Sequence, residues 1–220
     1  MDLAEIMATE RDSLLGEYAL GGVPPYAAVD ALDEVMRTPS MLRIPHPCWF
    51  AACPDVPPGL ARVQSCPSLG YRFLWCHADN DDYRSDYLAF ANAEYGAGLT
   101  ELPQTLHVDH LFNRERARAL GLHWVRMVLL PRGVNTSHGA GYEKSRTNGL
   151  IGTAGRPRGV DEVNLLKLCG LRTPRKGMPL PSDIYAHASR MADIFGLSVE
   201  DIIRNIEYLM EVAAFEPAED

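Results

Sequence analysis

The sequence predicts an α+β fold, with helical ends flanking a small β-containing centre. Three observations predict it. Apolar residues recur at helical spacing near both termini, over 2–20 and again over 182–195 and 199–215. Short apolar runs occupy the middle, at 71–76, 106–111 and 124–130. Gly and Pro punctuate the joins, at Gly21-Gly22, Pro24-Pro25, Pro131 and Gly133.

In chain order, residues 2–20 read as an amphipathic helix through Leu3, Ile6, Met7, Leu14 and Tyr18. A second helix fits 26–37, through Ala27, Val29, Leu32, Val35 and Met36. The Pro- and Cys-rich stretch 44–70 has little periodicity and reads as loop with short extended pieces. Residues 71–76 read as a buried strand, and Asn80-Asp81-Asp82 as a capping signal for a helix over 82–95. A short strand follows at 106–111, then a short basic helix over 113–120 ended by Gly121. Residues 124–130 form a strand stopped by Pro131 and Gly133. The next helix is placed at 136–146, weakened by Gly139 and Gly141. A Gly/Arg/Pro loop covers 150–159, a short helix 160–168 and a basic linker 172–177. Two helices close the chain, 182–195 and 199–215, the second with Ser198 as its N-cap. Its stripe of Ile202, Ile203, Ile206, Leu209 and Met210 reads as core or as a partner surface. These elements fall into three segments, 1–100, 101–180 and 181–220, expected to form one compact unit.

The 220 residues are 46% hydrophobic and 23% charged, enough for an ordinary globular core. The net charge of −8 argues against a nucleic-acid partner, but it hides an asymmetry. Residues 111–180 hold 13 Lys+Arg against 4 Asp+Glu, and the rest of the chain holds 8 against 25. A basic working surface on an acidic scaffold is one reading. Internal neutralisation by the acidic helices is the other. The start Met1-Asp2-Leu3-Ala4-Glu5-Ile6 has no signal-type apolar run, and no window approaches the length of a membrane span. The expected placement is cytoplasmic with reduced thiols, export without a cleavable signal being the alternative. Five cysteines are an odd number for a disulfide framework. Cys48, Cys53, Cys66 and Cys76, with His46 and His77 nearby, offer zinc-type ligands at irregular spacing, without a C-x-x-C pair.

The chemistry concentrates in Leu106-His107-Val108-Asp109-His110 and in Val134-Asn135-Thr136-Ser137-His138, at the start of the basic segment. On a strand, His107 and Asp109 share one face and Val108 and His110 the other. A carboxylate can hold a hard cation, and a neutral imidazole beside it can take a proton from an attacking water. The cation would polarise a phosphodiester and stabilise its leaving oxygen. Arg114, Arg116, Arg118, Lys144, Arg146, Arg156, Arg158, Arg172, Arg175 and Lys176 could neutralise phosphates without reading sequence.

The order of these parts resembles the ββα-metal motif of HNH (His-Me finger) endonucleases, over residues 106–146. The resemblance implies His110 as general base, Asp109 and His138 as ligands of a divalent metal, and Asn135 as the residue that positions the site. His107 would assist. It further implies Mg²⁺, with Zn²⁺ or Mn²⁺ as alternatives, and a DNA or RNA substrate held by Arg114, Arg118, Lys144 and Arg146. His-rich variants of the motif also resemble toxin domains of bacterial competition systems. The chain departs from the pattern in the close spacing of Asn135 and His138, in lacking C-x-x-C pairs, and in the helix between the two strands. Glu143 is a further ligand candidate, or a partner of Lys144 or Arg146. The competing expectation is a non-catalytic acidic interaction or immunity-type protein, with a partner on its acidic helices. In that case the histidines bond locally, and Asp109 is buried against Arg114 or Arg116.

Overall fold

The computed structural model describes residues 1–21, 24–37, 47–139, 143–144, 153–172 and 182–213. The fold is α+β, built on an antiparallel sheet of seven strands. The strands are β1 (Tyr26–Val29), β2 (Trp49–Ala52), β3 (Ala61–Cys66), β4 (Tyr71–His77), β5 (Leu106–His110), β6 (Trp124–Pro131) and β7 (Arg158–Gly159). Their order is β2-β3-β4-β6-β1-β7, with β5 also on β6. The helices are α1 (Leu3–Gly21), α2 (Asp33–Arg37), α3 (Tyr83–Tyr95), α4 (Arg114–Ala119), α5 (Arg132–His138), α6 (Glu162–Leu168), α7 (Ser182–Phe195) and α8 (Val199–Ala213).

β6 is the hub because its partners change along its length. Its first residues pair with β4 (Cys76 with Val125) and β1 (Ala28 with Val125), and its later ones with β5 (Asp109 with Val128). Strands from 1–100 and from 101–180 therefore share one sheet. The period-2 alternation of β4 sorts its side chains into two cores. Tyr71, Phe73 and Trp75 join the larger core with α4, α6, α7 and α8, and Leu74 and Cys76 join a second core with Tyr87, Phe90 and Ala91 of α3. α1 serves both, placing Ile6 in one and Leu14 and Leu15 in the other.

Two regions differ from the sequence-based expectation. Residues 26–37, expected as one helix, are split into β1 and the short α2, because Ala27, Ala28 and Val29 are buried between β6 and β7. In 44–70, expected as loop with short extended pieces, the extended pieces are the strands β2 and β3. α5 also starts at Arg132, earlier than expected, so Asn135 lies within the helix rather than ahead of it. Ser198 accepts a hydrogen bond from the Asp201 backbone N–H at 3.0 Å, as an N-cap should. Ile202 and Ile206 are buried in the larger core, whereas the side chains of Leu209 and Met210 lie outside the described residues. Among the described residues no helix is long and apolar enough to cross a membrane.

The four clustered cysteines are divided between the cores: Cys48 and Cys66 in one, Cys53 and Cys76 in the other. They do not meet around one point. Cys48 and Cys53 donate to the carbonyls of Val35 and Asp86, and burial pushes their thiols up to about 11 and about 12. They behave as small buried hydrophobes. His46 lies outside the described residues, and His77 stacks on His123 instead, with ring centroids 5.6 Å apart.

Candidate functional site

The strands β5 and β6 form an antiparallel pair, and α5 packs against both. β5 stays regular through His110, so alternation holds to its end. His107 and Asp109 face α5 and α6. His110 faces α3, where its ring meets Tyr83 edge-on at 4.6 Å.

Asp109 is the centre of the first face. It is 8% exposed, and its Oδ2 lies 2.7 Å from Lys167 Nζ on α6. Lys167 is fully buried and also bonds Glu143 Oε1. One ammonium thus bridges two carboxylates. The Asn135 side chain donates to Asp109, and its Nδ2 lies 3.3 Å from His107 Nδ1. An amide nitrogen can only donate, so His107 Nδ1 accepts and its proton sits on Nε2. His107 is partly exposed. Asp109 is therefore paired with Lys167, not with Arg114 or Arg116, and Glu143 bonds the same lysine.

The electrostatics follow from burial. Burial pushes the Asp109 carboxyl above the ordinary carboxylate value, against the pull of Lys167. Burial draws the Lys167 ammonium down, and Asp109 and Glu143 more than reverse it. The His107 imidazole is lowered by burial and by the nearby Arg132 and Arg84. Burial, then Arg114, Lys167 and Arg118, depress His110 to about 3. His110 is neutral at pH 7, and its buried Nε2 has no hydrogen-bond partner among the described residues.

His138 is buried on α5, with Nε2 2.9 Å from the Leu171 carbonyl, so that nitrogen donates. Its Nδ1 has no hydrogen-bond partner among the described residues. Burial lowers its imidazole to about 4. The structure gathers His107, Asp109 and Asn135, with His138 near the Lys167–Glu143 pair, and turns His110 away. Arg114 is latched to Asp81 at 2.8 Å, and Arg118 to Asp79 at 2.8 Å and Glu115 at 2.7 Å. Lys144 is exposed, and Arg146 lies outside the described residues.

Among the described residues, no group of three or more His, Cys, Asp or Glu side chains is arranged to hold a metal ion. Mg²⁺ needs fewer protein ligands: one or two carboxylates suffice, with water and substrate phosphate completing its shell. Asp109 and Glu143 are oxygen donors of that class, and both meet the Lys167 ammonium. Lys167 was not anticipated from the sequence. A signal was present, since helical spacing from Val163 sets Lys167 on the apolar face of a Leu-rich helix. No family model matches this sequence, and no curated protein or solved structure matches it either.

Proposed function

We propose that the chain is a divalent-cation-dependent phosphodiesterase acting on nucleic acid through the β5–β6–α5 unit. The observation that carries this reading is the hairpin followed by a helix packed on both strands, which gathers Asp109, Asn135 and His107 beside Glu143. Asp109 and Glu143 would hold the cation, with Glu143 taking the place expected for His138. The cation, when bound, neutralises phosphate charge and acidifies a water. Asn135 fixes both Asp109 and His107, the kind of supporting contact that orients a site. His107 Nε2–H donates to a phosphate oxygen. His107, and not His110, is the imidazole that faces this cluster, because His110 is 7% exposed and faces α3. Arg172 lies over Gly133, 3.0 Å from where a Cβ would stand, and adds positive charge beside α5. The interaction-protein reading draws on the buried Lys167, which by itself would suit a purely structural cluster.

Purified protein incubated with supercoiled plasmid and with structured RNA tests the proposal. Cleavage is expected with Mg²⁺ and not with EDTA. Asp109→Asn should abolish it, and His107→Ala should slow it about 100-fold. Asn135→Ala should cost about 10–100-fold, through lost orientation. His110→Ala should stay near the natural rate. Absence of Mg²⁺-dependent cleavage, or full activity in Asp109→Asn, would sink the nuclease reading.

A further inference from the structure

Lys167 has a place that α6 dictates. Asp161 accepts from the Asn164 backbone N–H at 2.8 Å, and Asn164 Oδ1 accepts from the Asp161 N–H at 3.3 Å, so the start of the helix is fixed. Val163, one turn earlier on the same face, is fully buried, as is the adjacent Leu166. The lysine stem therefore enters the protein, and its ammonium ends between Asp109 and Glu143. The oxygens that meet Lys167 are the ones a divalent cation would need. A divalent cation and an ammonium cannot share these two carboxylates without strong like-charge repulsion. Occupation by one excludes the other.

We propose that Lys167 is a resident counter-cation that competes with the divalent ion for the Asp109–Glu143 pair, and so sets how strongly the site takes metal. The inference rests on the reading of that carboxylate pair as the cation site. In the cation-free protein, Lys167 offsets part of the charge of the two acids and ties α6 to β5. When a cation enters, the ammonium must leave the pair. The site then switches between a closed, lysine-bridged form and a cation-bound form, with affinity governed by the lysine rather than by the ligands alone.

Mn²⁺ binding to the full chain, measured by titration calorimetry, tests this. Lys167→Gln removes the competing charge and should bind Mn²⁺ about tenfold or more tightly than the natural protein. Lys167→Arg keeps the charge and should bind no better than the natural protein. Equal Mn²⁺ affinity in Lys167→Gln and the natural chain overturns the inference, as does heat-silent titration of both. A second measurement does not depend on how Lys167→Gln folds. The Lys167 ¹³Cε resonance of the natural protein, assigned with Lys167→Arg, should shift as Mg²⁺ saturates, and an unmoved resonance overturns the inference. The two readings fail separately. Mg²⁺-dependent cleavage with unchanged Mn²⁺ affinity in Lys167→Gln removes the lysine competition alone. Tighter Mn²⁺ binding in Lys167→Gln with no cleavage by either protein removes the nuclease reading alone.

Discussion

Glu10 is a carboxyl group in an apolar junction, 1% exposed between α1, α3 and β6. The Tyr87 hydroxyl donates to its Oε1 at 2.6 Å, and the Leu129 backbone N–H to its Oε2 at 2.9 Å. Burial outweighs both bonds and pushes the group from 4.5 up to about 8. The sign of its effect on stability is then set. Below 4.5 both folded and unfolded chains hold the proton, and the contribution is fully present. Between 4.5 and about 8 the unfolded chain releases it while the folded chain keeps it, so stability falls as pH rises through that window. Urea unfolding at pH 5, 6.5 and 8 should show the natural protein losing stability relative to Glu10→Gln at each step. Parallel curves for the two proteins would contradict the assignment. Nothing in the sequence marks Glu10, because its partners lie 77 and 119 residues away. The same holds for Asp109. Its alternation with His107 could be read from a strand pattern, but Lys167, 58 positions later, is brought in only by packing of α6.

At the scale of elements, α4 shows what local signals can decide. Asn113 accepts from the Arg116 backbone N–H at 3.0 Å, and Gly121, at φ 68°, closes the turn after the helix. Both signals stand in the sequence, and the helix forms where they place it. Asn113→Ala leaves that donor without its cap and should cost about 1 kcal/mol in urea-derived stability. A loss below a few tenths would show that the latches from Arg114 and Arg118 to the 77–82 turn hold the helix without its cap. Long periodic helices such as α1 and α7 were equally legible. β1 was not, since a short apolar run such as Tyr26-Ala27-Ala28-Val29 satisfies helix and strand patterns alike. Its identity comes from ladders to β6 and β7, at separations that no local window spans. β2 and β3 were anticipated only as short extended pieces without bounds, for the same reason: Pro and Cys surround them, and their regularity is in the pairing of Phe50 with Gln64 and Val63 with Leu74.

Across the whole molecule, part of the charge asymmetry of the sequence is met by ion pairs between distant segments. Arg126 is fully buried, 3.2 Å from Glu17 of α1, with its guanidinium over the rings of Phe73 and Trp75. Burial pushes Glu17 up, against the pull of Arg126. Arg114 and Arg118 take Asp81 and Asp79, and Lys167 takes Asp109 and Glu143. Arg114, Arg118, Arg126 and Lys167 thus pair with acids supplied from the N-terminal half, and β6 depends on α1 twice, through Glu10 and Glu17. A buried arginine stripped of its carboxylate costs about 3–5 kcal/mol, a large part of a domain's total stability. The segment 101–180 would also lose β1 and β4, the neighbours of β6, and expose both faces of what remains. Expressed alone, it should therefore give no sigmoidal urea transition, while the full chain unfolds in one step by tryptophan fluorescence and circular dichroism together. A cooperative transition in the isolated 101–180 segment would mean that the β5–β6–α5 unit is a self-sufficient module, and that the buried ties to α1 are incidental to its folding.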